Sequence, residues 1–161
     1  MNLHSNNKGQ ALVEMALSII LLMTILVGIF EFGRAMYIKN TLNNAARAGV
    51  RKAVVTSGIQ KTTSSEDLQC DSYDPTTKTG NIPVYISICD SLYNGVDKDN
   101  VTVDIILIKN TANSSSPAYD ANIIQTSDTV EVTVRLSGFT SFTKLIPITN
   151  QLTGVASMRY E

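Results

Sequence analysis

A single carboxylate, that of Glu14, lies inside the apolar N-terminal segment of this 161-residue chain. Gly9 lies five positions before it, and no charged residue follows until Glu31. Because an ionised side chain within a membrane costs free energy, the chemistry open to Glu14 there is ionic contact. Glu14 can extend to the membrane–water interface, or it can pair with a positive group of another subunit and set the axial register between packed helices.

The residue sets that catalysis requires are missing from the sequence. The only histidine, His4, precedes the apolar segment, so a serine or cysteine nucleophile would have no imidazole base. No glycine-rich phosphate-binding motif is present. Residues 97–100 resemble an acidic metal loop but lack its glycine and distal glutamate, so we interpret them as a solvated turn. We therefore expect no enzyme activity, small-molecule substrate, cofactor or metal site.

Composition limits the size and the partners of the protein. Apolar residues make up 43% of the chain and charged residues 17%, with a net charge of −1. A chain of this length accommodates one modest domain and one long helix. Because nucleic-acid binding requires a clustered basic face, we expect no nucleic-acid partner.

The two cysteines, Cys70 and Cys89, both follow the apolar segment. Two thiols in a loop-rich domain outside the cytoplasm are most simply explained by a disulfide. In the loop-entropy model such a bond stabilises the fold by about 3 kcal/mol. A pair of free buried thiols and half of a metal site are the alternatives.

The apolar segment is long enough to cross a bilayer once. Residues 15–30 cover about 24 Å as a helix, and the stretch that starts at Ala11 covers about 30 Å. A secretory signal peptide has a shorter apolar core and a small-residue cleavage site after it. Neither feature is present here, so we predict that the segment is retained in the mature protein.

The helix is predicted to continue beyond the membrane, because residues 31–55 contain no proline. Small and apolar residues recur here at spacings of three and four, which places them on one helical face. Such a face allows close approach, either of the chain's own sheet, which we favour, or of neighbouring subunits. This helix packing face consists of Leu42, Ala45, Ala46, Gly49, Val50 and Ala53.

Four later segments carry strand patterns. Residues 84–88 form a short β-rich run, and apolar residues alternate with others over residues 101–108 and 129–136. Residues 152–160 form a plausible last strand. Residues 56–81 and 110–128 are polar and are predicted to be loops, the second of them more simply mobile than functional. The predicted fold is α+β, with a long N-terminal helix packed on a small antiparallel sheet.

Three N-terminal segments together resemble a known family. Residues 9–14 (GQALVE), 28–34 (GIFEFGR) and 44–51 (NAARAGVR) look like those of the TadE-like pseudopilins. These proteins are minor components of the tight-adherence (Tad/Flp) type IVb pilus machinery. The resemblance is specific over residues 9–55 and looser over residues 139–160.

The resemblance implies a processing site and an assembly residue. A prepilin peptidase would cut after Gly9, so that Gln10 becomes the N-terminus and Glu14 the fifth residue of the mature chain. Type IV pilins use that position to contact the N-terminal amine of a neighbour during assembly. Met15 stands where the major pilins of this system carry an aromatic residue, which fits a pseudopilin better.

The chain is therefore divided into four segments. Residues 1–9 are a prepilin-type leader, residues 10–30 the transmembrane half of a pilin-like helix, and residues 31–55 its extracytoplasmic amphipathic half. Residues 56–161 form a small antiparallel β domain with long polar loops.

The orientation of the helix follows from conflicting signals. The positive charges after the apolar segment outnumber those before it, and taken alone they favour an N-terminus outside. The cysteines and the processing motif favour an N-terminus inside, and we adopt this orientation. It predicts a single-pass protein of the bacterial inner membrane, whose C-terminal domain is periplasmic or extracellular in a pilus.

The function expected from the resemblance is that of a minor pseudopilin in Tad/Flp pilus biogenesis. Its expected partners are the prepilin peptidase, other pilins and pseudopilins, the inner-membrane assembly platform and the membrane itself. The alternative is a single-pass anchored binding or adhesion module outside the cytoplasm, unrelated to a filament.

Overall fold

The computed structural model describes residues 7–60, 66–67, 81–92, 96–109, 124, 127–139 and 151–160. The chain divides into two compact units, Met1–Met36 and Tyr37–Glu161. The first contains the N-terminal part of helix α1, and the second contains the rest of that helix, a short helix and a sheet.

Helix α1 runs without interruption over Asn7–Val55. Its first part is rich in Leu, Ala and Met, which lose little rotamer freedom in a helix, and it contains no proline. A polar side chain within this part is satisfied by the helix itself, since the Thr24 hydroxyl donates to the Ile20 carbonyl at 2.9 Å. The prediction of one helix through the apolar segment to residue 55 is confirmed.

The second unit contains an antiparallel sheet with the strand order β1-β2-β3-β4. Strand β1 is the two-residue Glu66–Asp67, and β2 and β3 are Val101–Ile108 and Thr129–Ser137. Strand β4, Gln151–Arg159, completes the sheet. The three strands predicted over residues 101–108, 129–136 and 152–160 are confirmed, and so is the α+β class.

The core of the sheet follows from the alternation in β2 and β3. Val103 is paired with Val134, and Val134 in turn with Gly154, so residues of one face line up across three strands. Alternate side chains on this face are buried: Val101, Val103, Ile105, Leu107, Val130, Val132, Val134 and Leu136. Thr133 is also buried, although it lies on the opposite face of β3.

Within the second unit, α1 approaches the sheet closely at two glycines. A β-carbon on Gly154 would overlap the backbone of Leu42 and would lie 2.6 Å from the Asn43 nitrogen. A β-carbon on Gly49 would lie 2.8 Å from Cδ1 of Ile88 and 3.3 Å from Cγ1 of Val132. At Gly154 the neighbouring atoms are backbone, so only glycine permits this approach between helix and sheet, whereas at Gly49 they are side-chain atoms.

The strand predicted at residues 84–88 is wrong. A second helix, α2, occupies Ile82–Ser91, with a proline in its first turn, where a missing N–H is tolerated. Its buried residues, Val84, Tyr85, Ile88 and Cys89, are spaced four apart in two pairs, which is a helical pattern. A five-residue run with three β-branched residues fits both periods, so packing against the core decides the outcome.

The loop predicted over residues 56–81 is wrong in two places. Ile59 is fully buried, and Glu66–Asp67 pairs with β2. The side chain of Asn81 joins the ends of this segment, because its Oδ1 accepts from the Gln60 N–H and its Nδ2 donates to the Gln60 carbonyl, both at 3.0 Å. Residues 61–65 and 68–80 lie outside the described residues.

An ion pair joins the two ends of the long segment that connects β2 and β3. Lys109 Nζ lies 2.9 Å from Asp128 Oδ2, with the Asp128 side chain fully buried and that of Lys109 16% exposed. Two backbone hydrogen bonds join residues 127 and 128 to Tyr160, which follows β4. The Ser127 N–H donates to the Tyr160 carbonyl at 2.8 Å, and the Tyr160 N–H donates to the Asp128 carbonyl at 2.7 Å. The predicted mobility of residues 110–128 falls almost wholly outside the described residues.

We predict that Gly154→Ala lowers the free energy of unfolding of the second unit by about 3 kcal/mol, because the added methyl group meets helix backbone that no rotamer change can move. Thermal unfolding of the full chain in detergent, followed by circular dichroism, measures the effect.

Gly49→Ala is the matched comparison. Its methyl group meets the flexible end of Ile88, and the helix gains about 1 kcal/mol from the better propensity of alanine, so we expect a much smaller change. Equal destabilisation by both substitutions would contradict the close backbone approach at Gly154.

Candidate functional site

The first unit presents an almost entirely apolar surface. Large apolar side chains from Leu12 to Phe32 are exposed, far more than a soluble protein tolerates on one contiguous surface. By length and composition α1 is the one helix in the described residues that can cross a membrane, and none of its most apolar window is buried. This exposure fits a single-pass membrane anchor and differs from the core helix of a soluble protein, which is mostly buried.

Glu14 lies within this apolar surface, exposed between Val13 and Met15, each 62% exposed. Among the described residues it forms no ion pair or hydrogen bond. Gly9 and Gln10 are exposed as well, and Gln10 precedes Glu14 by one helical turn, so both lie on the same face of α1. The structure thus brings the three residues predicted for processing and assembly into the first two turns of one exposed helix.

A second carboxylate, that of Glu31, had no role in the sequence interpretation. It is only 1% exposed, whereas its neighbours Phe30 and Phe32 are 68% and 67% exposed. The sequence marks Glu31 only as the first charged residue after the apolar run, three residues before Arg34. Glu31 therefore lies where charged residues resume along α1, after the uncharged run of residues 15–30.

The predicted packing face lies in the second unit, and all six of its residues are buried. The backbone at Leu42 approaches Gly154 of β4, and Gly49 approaches α2 and β3. At these two positions the contacts are therefore with the chain's own sheet and second helix. On the other side of α1, Arg47, Arg51 and Lys52 are exposed.

The two cysteines were predicted to form a disulfide. Cys89 is disulfide-bonded and buried in α2, rather than at the end of a strand. Cys70 is the only other cysteine of the chain and lies outside the described residues.

The acidic residues 97–100 use their side chains within a turn. Asp97 Oδ1 accepts from the Asp99 N–H at 3.3 Å, and its Oδ2 accepts from Asn100 Nδ2 at 2.6 Å. Asp97 thereby caps a single 3₁₀ turn, Lys98–Asn100. Among the described residues, no three His, Cys, Asp or Glu side chains group together as a metal site would need.

Fold and site together define a class of protein: an α+β domain carried by a helix that fits a single-pass membrane anchor. Residues 9–51 match the model of a family described as TadE-like protein. The resemblance inferred from the sequence is confirmed over these residues and is consistent with a TadE-like protein of the Tad pilus system. The family suggests a pilus-associated protein. No curated protein and no solved structure matches the chain.

We predict that Glu14→Ala leaves the thermal unfolding of the second unit unchanged, because the exposed Glu14 carboxylate contributes no contact to it. The matched comparison is Asp128→Ala, which removes a buried carboxylate and leaves Lys109 without its ion pair, at a cost of about 3 kcal/mol. Circular dichroism of both variants in the same detergent tests the contrast. A loss of stability in Glu14→Ala equal to that in Asp128→Ala would contradict it.

Proposed function

We propose that the protein is a minor pseudopilin of the Tad/Flp type IVb pilus system, inserted in the inner membrane and assembled through its N-terminal helix. The observation that carries this proposal is the lone Glu14 on an exposed apolar helix, in a segment that matches the TadE-like family from residue 9 onward. A structural subunit needs a packing surface rather than a reaction centre, and the exposed face of α1 supplies one.

The membrane orientation in the proposal places the second unit outside the cytoplasm. The disulfide of Cys89 supports this side, because disulfides persist in the periplasm and are reduced in the cytosol. The exposed apolar length before Glu31 corresponds to about one bilayer crossing at the rise of an α-helix. The second unit is then displayed in the periplasm, or on the surface of a filament.

Processing in the proposal occurs between Gly9 and Gln10. Both residues are exposed, and nothing lies within 4 Å of the position where a β-carbon on Gly9 would sit. A membrane-embedded prepilin peptidase would therefore meet no described side chain packed against Gly9. Cleavage releases residues 1–9 and creates a positively charged amine on Gln10.

Assembly in the proposal depends on pairing between Glu14 and the new amine of a neighbouring subunit. Each charge alone is unfavourable in a low-dielectric surrounding, and their pairing offsets part of that penalty. Because Glu14 lies one turn beyond Gln10, pairing between subunits displaces one helix along the other and fixes their register. The partners are therefore other pilins or pseudopilins and the inner-membrane assembly platform that receives them.

Sequencing of the N-terminus tests processing most directly. Protein purified from a peptidase-competent host should begin at Gln10, and Gly9→Leu should leave the leader attached. Gly28→Leu is the matched control and should still be cleaved, because Gly28 is a half-buried helix glycine that also has nothing within 4 Å of the position of a β-carbon.

The alternative, an anchored binding module, makes opposite predictions in the same strains. If the protein is a binding module, Glu14→Ala should be harmless and changes in residues 110–128 should abolish binding. If it is a pseudopilin, Glu14→Ala should prevent its incorporation into the pilus fraction. A mature protein that still begins at Met1 would contradict the processing step.

A further inference from the structure

Strand β4 forms one edge of the sheet. Among the described residues it pairs with β3 on one side and with no strand on the other. It is nine residues long, and its side chains at Val155 and Met158 are 48% and 38% exposed. The described residues therefore leave the outer edge of β4 without a strand partner, and side chains in its second half are partly exposed.

Edge strands of this kind are normally protected against pairing with other chains. The usual protection is a lysine or another charge on the edge, a proline, a bulge, or a very short strand. Strand β4 has no proline and no charged residue before Arg159, at its end. A long, exposed and nearly uncharged edge strand is the kind of surface to which a further strand adds.

A groove runs between this edge and the last turns of α1, inside the second unit. Its lining mixes apolar and polar groups: Val155, Ala156, Ser157 and Met158 come from β4, and the almost fully buried Val50 comes from the helix. Arg47 and Arg51 line the helix side of the same groove. A mixed groove beside the outer edge of β4 is thus bordered by two guanidinium groups.

The two arginines are not neutralised by this chain's described residues. Arg47 and Arg51 form no ion pair there, whereas Arg135 contacts Asp104 at 2.7 Å and Lys109 contacts Asp128 at 2.9 Å. They lie one helical turn apart, where like charges disfavour the helix. Carboxylates of a bound partner would offset this repulsion, which no ion pair with a described residue does.

We propose that this groove binds an extended acidic segment of a partner protein, which adds to β4 as a further strand. The backbone of the segment pairs with the outer edge of β4, and its apolar side chains cover Val155 and Met158, which are partly exposed. Its carboxylates contact Arg47 and Arg51, whose planar guanidinium groups match a carboxylate in two-point hydrogen bonding. The strand edge and the exposed apolar side chains of β4 favour a peptide over a lipid headgroup or a free phosphate, which would use the arginines alone.

This assignment does not depend on the proposed function. It uses only residues of the second unit, and neither Glu14 nor cleavage after Gly9 enters the argument. A binding result is therefore interpretable whether or not the chain enters a pilus.

The test measures peptide binding to the full chain in detergent micelles by fluorescence anisotropy. One probe is a labelled peptide of the same length as β4 that alternates valine with glutamate, and the second carries lysine in place of each glutamate. We expect the glutamate peptide to bind about tenfold more tightly than the lysine peptide, the difference corresponding to one charge-assisted contact. We expect its affinity to fall as salt is added.

Charge reversal identifies the groove. Arg51→Glu should weaken binding of the glutamate peptide about tenfold and strengthen binding of the lysine peptide. Lys52→Glu is the matched control, because it makes the same change of charge at the next residue, which is exposed but does not line the groove. Unchanged circular dichroism of both variants verifies that the fold is retained.

Four outcomes would overturn the proposal. Equal binding of the two peptides would mean non-specific apolar adsorption, and no binding of either would mean that the edge is closed. Equal effects of Arg51→Glu and Lys52→Glu would mean that peptide binding depends on the net charge of the protein and not on the groove. Binding of glycerol phosphate without binding of the glutamate peptide would assign the arginines to a phosphate or a lipid headgroup instead.

Discussion

The apolar surface of the N-terminal part of α1 must be removed from water, and the rest of the protein is organised around this constraint. The first unit contains no sheet or second helix among the described residues, and its large side chains are exposed from Leu12 to Phe32. Such a surface is stable only in lipid or against other helices. In that surrounding, the negative charge of Glu14 is tolerated only where a positive group compensates it.

The second part of the same helix meets a different requirement. From Tyr37 onward its buried side combines the large side chains of Ile38 and Leu42 with alanines and Gly49. The backbone at Leu42 and Asn43 comes against Gly154, so helix and sheet pack closely there. The polar side of this part carries Arg47 and Arg51, which border the groove beside β4. One continuous helix thus combines a surface suited to lipid with a surface suited to a protein core.

Local patterns in the sequence predicted the local features of the structure. The absence of proline predicted α1, and strict alternation predicted β2 and β3, because each depends on a single repeating period. Gly9 and Glu14 were found for a similar reason, since they belong to one short motif. The run at residues 84–88 was too short to distinguish two periods, and helix α2 forms there instead.

Features that depend on distant contacts could not be predicted in the same way. The need for glycine at position 154 arises from residues more than a hundred positions earlier in the chain, which no local pattern records. The groove beside β4 likewise exists only because the last strand lies alongside α1 within the second unit.

The division of α1 between lipid and water is tested most directly by labelling single cysteines in intact spheroplasts with a membrane-impermeant maleimide. Ser18 and Lys39 are both exposed in the protein itself, so only a membrane can make them differ. We expect Lys39→Cys to be labelled, and Ser18→Cys to be labelled only after denaturation. Equal labelling of both variants in spheroplasts, or labelling of Lys39→Cys only after lysis, would contradict it.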